Sequence, residues 1–195
     1  MFLAKSRPSV GVMNDAGRSP ESRTSGALWV AAGLSVPADV DGGLRAGGVA
    51  LEVGCGGGLG CLALAEAYQA AKVVGHDRDA ESIARAQAMA HAADLDGRVS
   101  FVVSDSERLP RNAYDLVTVA TLLDRRQALE VLNAIRNAIV PNGVCVLLEP
   151  PVSVVLGGSK RRRAADRLRA LAERAGFSKV SLVSRGDTDI YELRR

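Results

Sequence analysis

A strand that runs straight into glycines constrains this chain more than any other feature. "VALEV" (residues 49–53) is a short apolar run, and "GCGGGLG" follows it, with glycines at 54, 56, 58 and 60, before an Ala/Leu-rich stretch. Glycine adopts left-handed backbone at little cost and lets the main chain approach a neighbour where a side chain would clash. Strand, glycine turn and helix in succession make the first unit of a βαβ fold. The N–H groups opening such a helix point outward with the positive end of its dipole.

The rest of the chain repeats the alternation. Apolar strand-like runs recur at residues 72–76, 99–103, 114–120 and 144–149, with helical segments at 59–71, 80–92, 127–139 and 162–175. In the second helix Ile83, Ala86 and Ala90 recur at i, i+3 and i+7; in the third, Leu129, Leu132, Ile135, Ala138 and Ile139 share a face. Pro141-Asn142-Gly143 reads as a turn, and Gly176 as a helix stop. Two alternating runs, 179–184 and 189–194, are joined by Arg185-Gly186-Asp187 and read as a terminal hairpin. Apolar strands separated by helices imply a parallel sheet covered on both faces, and the hairpin gives it an antiparallel edge. The expected fold is α/β, a doubly wound Rossmann-like sheet in a single domain. Residues 1–24 mix Pro, Gly, Ser and Arg and read as a flexible tail, leaving the domain to 25–195. A short helix is expected at 26–32, and Pro37 with the Gly42-Gly43 and Gly47-Gly48 pairs reads as a connector.

Composition narrows the class. A chain of 195 residues can bury one sizeable core, and 47% hydrophobic with 24% charged residues marks a globular protein. No run reaches the roughly 18 apolar residues of a membrane helix, and Lys5 follows Met1 too closely for a secretory leader. Cys55, Cys61 and Cys145 have neither disulfide nor zinc spacing, so a cytoplasmic protein without a metal is expected. Charge is uneven: residues 46–149 carry 9 basic and 13 acidic side chains, residues 160–195 carry 11 and 5. Lys160-Arg161-Arg162-Arg163 is the densest basic point. No aromatic lies beside it to stack a base, so it reads as a solvated loop before the last helix, and nucleic acid is not an expected partner.

In its context the glycine loop reads as a nucleotide or nucleoside site. A dinucleotide register exists through Gly54, Gly56 and Gly57 or Gly58. Against it, Glu52 places a carboxylate two residues before the loop, which would repel a pyrophosphate but tolerate a cationic amine. Further acids follow the next two strands, Asp77 in "GHDRDA" and Asp105 in "VVSDSERLP". Asp77 alone reads equally as a helix cap. Asp79, nearer the helix start, is better placed to cap.

"ALEVGCGGG", "VVGHDRD", "VSFVVSDSERLP", "YDLVTVATLLD" and "IVPNGVCVLLEP", with a weaker echo in "LRALAERAGFSKVSLVS", carry a resemblance. In order and spacing the chain resembles class I S-adenosylmethionine-dependent methyltransferases of the small-molecule type, over about residues 49–150. The resemblance implies strand order 3-2-1-4-5-7-6 with strand 7 antiparallel, S-adenosylmethionine as cofactor, and methyl transfer to a small-molecule acceptor. It implies that Glu52 and the backbone of Gly54, Cys55, Gly56 and Gly58 face the methionine part. Asp77 would then accept the ribose hydroxyls, with Arg78 beside the adenine. Asp105 would meet the adenine amino group, flanked by Ser104 and Ser106, and Ala120 and Thr121 would flank the sulfonium.

Other features fit the resemblance less closely. Several family branches place a histidine after the fourth strand; here Leu123-Asp124-Arg125 puts Asp124 there, a candidate base whose plainer reading is an exposed turn acid. His76 and His91 read as bystanders and Asp115 as structural. In-line displacement of a methyl group can be driven mainly by positioning, with a base needed only if the acceptor loses a proton. The parts that bind acceptors in relatives are short: "PPVSVVLGGSKRRR" follows the fifth strand, and no N-terminal winged-helix region is read. A non-catalytic or partner-dependent cofactor-binding subunit, a truncated methyltransferase, is therefore the second reading, and an NAD-dependent oxidoreductase the third; a homodimer or a partner subunit is the expected assembly.

Overall fold

The computed structural model describes residues 36–105, 109–122, 126–149, 158–185 and 188–195. The expected tail, the helix at 26–32, the hairpin turn Gly186-Asp187 and the candidate residues Ser106 and Asp124 lie outside them. The strands are β1 (Val49–Val53), β2 (Lys72–Asp77), β3 (Val99–Val103), β4 (Tyr114–Ala120), β5 (Ile139–Glu149), β6 (Lys179–Arg185) and β7 (Thr188–Arg194). They form one sheet in the order β3-β2-β1-β4-β5-β7-β6. The first five are parallel, and β7 runs antiparallel between β5 and β6, with Arg185 opposite Thr188 at the hairpin end. This is the expected order and sense.

Helices cover both faces. On one, α1 (Ala38–Arg45), α2 (Leu59–Ala67) and α3 (Ala80–Ala92) bury Leu44, Leu64 and Ile83 with Ala50, Val73 and Phe101 of the sheet. On the other, α4 (Ala128–Ala138) and α5 (Gly158–Arg174) bury Leu132, Ile135 and Leu168 against Leu51, Val117 and Tyr191. Ala50 and Leu51 belong to different cores because successive strand residues face opposite ways. Burying each large apolar side chain contributes about 1.5–3 kcal/mol, so these two layers hold the sheet edge in place.

Four readings are corrected. The stretch expected as a connector after Pro37 folds as α1: Val40 and Leu44, one turn apart, are buried. Asp39 and Asp41 suit the start of its dipole and Arg45 its end. The Asp41 carboxylate accepts from Arg45 at 2.8 Å and from the Tyr68 hydroxyl at 2.8 Å, and these bonds add to the burial of Val40 and Leu44 in offsetting the helix cost of Gly42 and Gly43. The helix expected to reach 71 stops at Ala67, where the Arg98 guanidinium donates to the carbonyls of Ala65 and Tyr68.

Pro141-Asn142-Gly143 lies inside β5 rather than before it. Tyr114 pairs with Ile139 and Leu116 with Val144, so the residues between them on β5 are extra and bulge from the ladder. A side chain at Gly143 would meet Ile139 Cγ2 at 2.5 Å, which keeps that position glycine. Finally, α5 begins at Gly158 rather than at the expected Arg162, so Lys160 and Arg161, read as part of a loop, belong to its first turn. Arginine is a good helix former, and Ala164, Ala165, Leu168 and Ala172 seat this helix on the second core.

Candidate functional site

The parallel register brings the last residues of β1, β2, β3 and β4 to one edge, with Val53 beside His76 and Val119, and Asp77 beside Val103. The glycine loop turns over this edge with φ of 76° at Gly54, 52° at Gly56 and 80° at Gly58, all in the left-handed region that favours glycine. It hangs from β2. The N–H groups of Gly54 and Cys55 donate to the His76 carbonyl at 2.7 and 3.1 Å, and Gly56 N–H donates to Asp77 Oδ2 at 2.8 Å. Asp79 N–H donates to the other Asp77 oxygen at 3.0 Å. Each oxygen of the half-buried Asp77 carboxylate thus holds one backbone N–H and retains accepting capacity for a ligand hydroxyl.

Asp79 takes the capping role expected of it. Its carboxylate accepts from the N–H groups of Glu81 and Ser82 and from the Ser82 hydroxyl at 2.6 Å. These bonds, the Ser82 hydroxyl first, hold its pKa below the ordinary value. Asp115 is structural as read: its carboxylate accepts the Val49 N–H at 2.8 Å and fixes the start of β1.

Glu52 is fully buried behind the loop. Cys61 Sγ donates to Glu52 Oε2 at 3.2 Å, and a Cβ on Gly60 would lie 2.5 and 2.7 Å from the two carboxylate oxygens. Burial, the hydrogen bond with Cys55 and the Glu52 charge push the Cys61 thiol well above its ordinary pKa. The loop rests in turn on Phe101: a Cβ on Gly58 would fall 2.7 Å from its ring and 2.8 Å from Ala86 Cβ.

At the β2 and β3 ends, Ser104 N–H donates to the Asp77 carbonyl at 2.9 Å, and Ser104 Oγ donates to the Asp105 carbonyl at 2.8 Å. Arg78 Nε stands 3.9 Å from Asp105 Oδ1, both side chains in solvent, a pairing worth little on its own. At the β4 end Ala120 is buried, and Thr121 takes φ 53°, a strained value for a β-branched residue. Its N–H donates to the Leu148 carbonyl and its hydroxyl to the Ala120 carbonyl.

The structure therefore gathers Gly54, Cys55, Gly56, Gly58, Asp77, Arg78, Ser104 and Asp105 around the ends of β1 to β3. Glu52 lies beneath them, and Ala120 and Thr121 close the β4 end. Two apolar residues at the same edge escaped the sequence reading. Leu59, the first residue of α2, is 39% exposed, and Val103, beside Asp77, is 52% exposed. For Val103 the available signal was weak, an apolar residue closing a strand with only polar residues after it; for Leu59 it was an apolar residue opening a helix straight after the glycines. His76 projects from the face opposite Asp77; it is buried, its Nδ1 has no hydrogen-bond partner among the described residues, and burial lowers its pKa. His91 is exposed and paired with Asp96 at 2.7 Å, which raises its pKa. Among the described residues no group of three or more His, Cys, Asp or Glu could hold a metal ion, and no helix is long and apolar enough to cross a membrane.

The family model described as a methyltransferase domain matches residues 44–179, and the chain belongs to that family. Its sheet order, with β7 antiparallel, is that of the class I S-adenosylmethionine-dependent methyltransferases. Among solved structures it is similar to the mitomycin 7-O-methyltransferase MmcR, with 16% identity, TM-score 0.64, and 80% of this chain and 53% of that chain covered. It is similar to the O-methyltransferase NcsB1 of neocarzinostatin biosynthesis, solved with S-adenosylmethionine and 2-hydroxy-5-methyl naphthoic acid. There the identity is 20%, the TM-score 0.65, and the coverage 77% and 50%. A SAM-dependent methyltransferase from Aquifex aeolicus is matched over 91% of this chain and 100% of that one, with 18% identity and TM-score 0.67. At these identities the likeness is one of fold. The chain spans about half the length of MmcR and NcsB1. No curated protein matches it.

Proposed function

We propose that this chain binds S-adenosylmethionine over the ends of β1 to β4 and transfers its methyl group to a small-molecule acceptor. The observation that carries the reading is Asp77. Its carboxylate is locked between the glycine loop and the α3 turn, with accepting capacity left for two ribose hydroxyls. Leu59 and Val103 offer apolar walls to the adenine, and Ser104, Ser106 and Asp105 are assigned its polar edge, with Arg78 beside it. The backbone of Gly54 to Gly58, held over Glu52, takes the methionine part, and Ala120 and Thr121 the methyl end. When bound, the cofactor supplies a methyl group activated on a sulfonium. The chain's own work is to orient donor and acceptor and to exclude water, which can supply several kcal/mol of the barrier. His76 and His91 stay outside the chemistry, and Asp124 is assigned the base role where the acceptor must lose a proton. Buried, free cysteines at 55, 61 and 145 suit a reducing cytoplasm, and residues 25–195 are assigned to the cofactor domain.

The small-molecule class is supported by what MmcR and NcsB1 act on or bind. A second reading is a subunit that binds cofactor but needs a partner chain or second copy for transfer. Calorimetric titration with S-adenosylhomocysteine and with NAD tests the cofactor. Binding of the first without the second is expected, and the reverse would sink the reading. Labelled-methyl transfer to phenols, carboxylates and amines, with the chain alone and with added partner chains, separates the enzyme from the subunit.

A further inference from the structure

Charge is divided along the edge of the sheet that carries the site. Over β1 to β3 the acids are Asp77, Asp79 and Asp105, with Arg78 held against Asp105. Past β4 the sign reverses. α4 and α5 each follow a parallel strand that ends on this edge, so both begin there, side by side on the second core. Arg126 lies just before α4, and the first turns of α5 hold Lys160-Arg161-Arg162-Arg163. Arg126, Arg162 and Arg163 are exposed, and no described carboxylate is ion-paired with them.

Three further facts bear on what that cluster does. The first turn of α5 holds no acid, and Arg162 and Arg163 follow it with no ion-pair partner among the described residues, so no salt bridge of the scaffold accounts for their charge. Of the acids at this end of the sheet, Glu149 and Asp189 are opposite each other in the β5–β7 register, buried and already engaged, while Glu130 of α4 and Asp166 of α5 are exposed one turn from Arg126 and Arg162 and ion-paired with neither. All the described aromatic residues, Tyr68, Phe101, Tyr114, Phe177 and Tyr191, are buried, which leaves no stacking surface for nucleobases among the described residues.

We propose that the methyl acceptor is a small molecule bearing an anionic group, a carboxylate or a phosphate monoester. Arg126, Arg162 and Arg163 form the rim that takes that group up, with the reacting atom directed toward Thr121. This rests on the proposed placement of the cofactor over β1 to β3, which leaves the ground past β4 to the acceptor. Guanidinium groups match either oxyanion with paired N–H donors, and a cationic rim beside an acidic one raises the encounter rate of an anion.

The test uses the full chain saturated with S-adenosylhomocysteine, titrated with hydroxynaphthoate, hydroxyphenyl phosphate and the neutral methyl ester of hydroxynaphthoate. At least one anion is expected to bind about tenfold or more tighter than the ester, and to weaken as salt rises. Combined Arg126→Glu, Arg162→Glu and Arg163→Glu should reduce anion affinity about tenfold or more while leaving S-adenosylhomocysteine affinity and melting temperature unchanged. A Gln series at the same positions gives an intermediate loss and covers the case that reversal disturbs folding. The proposal is overturned if the ester binds as tightly as the anions or if neither anion binds saturably. It is equally overturned if the variants bind the anions as the parent does, or if a single-stranded oligonucleotide outcompetes both. Repeating the anion titrations without S-adenosylhomocysteine keeps the two readings apart: failure of that ligand to bind strikes the cofactor assignment, not the rim.

Discussion

One carboxylate oxygen of Asp77 holds the Gly56 N–H at 2.8 Å across twenty-one residues of sequence, and the other holds the Asp79 N–H at 3.0 Å. Loop, strand and following helix are thereby joined at one side chain. Asp77→Ala is expected to weaken S-adenosylhomocysteine binding by about 1–3 kcal/mol, since it removes a charge-assisted acceptor and releases the loop. Calorimetry reads the loss, and far-ultraviolet circular dichroism checks that the variant remains folded. Unchanged affinity in a folded variant would reduce Asp77 to a loop anchor.

Asp79 sits two residues away and does a different job. Asp79→Ala removes the acceptor of the Glu81 and Ser82 N–H groups and frees the start of α3. A melting temperature lower by a few degrees, with S-adenosylhomocysteine affinity retained, is the expected outcome. A thermal melt beside the same titration separates cap from ligand residue.

Gly58→Ala meets two penalties at once. A left-handed φ costs a side-chain-bearing residue about 1–2 kcal/mol, and the new Cβ, 2.7 Å from the Phe101 ring, adds about 1–3 kcal/mol of overpacking. Phe101→Leu in the same chain should recover part of the second penalty and none of the first. A double-mutant cycle by urea denaturation measures that coupling, and additivity of the two changes would mean the ring does not support the loop.

His76 makes stability depend on pH. Burial lowers its pKa below the ordinary 6.5, so as pH falls past that value the unfolded chain binds a proton that the folded chain refuses. Its contribution is present above about pH 6.5 and is lost on acidification toward the folded value, with a slope of at most about 1.4 kcal/mol per pH unit. His91, whose pKa Asp96 raises, acts in the opposite sense: its contribution is present below 6.5 and fades as pH rises through the folded value. Urea denaturation between about pH 5 and 8 should show a flatter acid limb in His76→Leu than in the parent, because only the His76 term differs.

Where a strand is an apolar run bounded by turn residues, the sequence alone marks its limits: β1, β3 and β4 begin and end where the reading puts them, as does α3. α1 was hidden because its burial rests on two residues, Val40 and Leu44, among glycines that locally favour a turn. The early start of α5 was hidden because Gly158 and Ser159 signal no helix ahead of the expected Arg162; Ala164 to Ala172 supply the packing that draws them in. At the site, the capping role of Asp79 was legible from its spacing to the helix start. The exposure of Leu59 and Val103 was not, since it depends on which helix leaves a strand end uncovered.

The glycine loop is held by main-chain bonds at Gly54, Cys55 and Gly58, and the one carboxylate that joins them grips only main-chain N–H groups. Such a cradle is blind to the side chains on the far faces of the strands and helices around it. Substitutions can therefore accumulate along the strands and helices without moving it, and chains only 16 to 20% identical share its sheet. Drift is cheap on the exposed faces, and costly at the loop glycines, at Asp77 and at the buried side chains beneath them such as Phe101. Past β4 the exposed arginines answer to no such scaffold, and a descendant of this chain could trade one acceptor for another there while its cofactor edge stayed as it is.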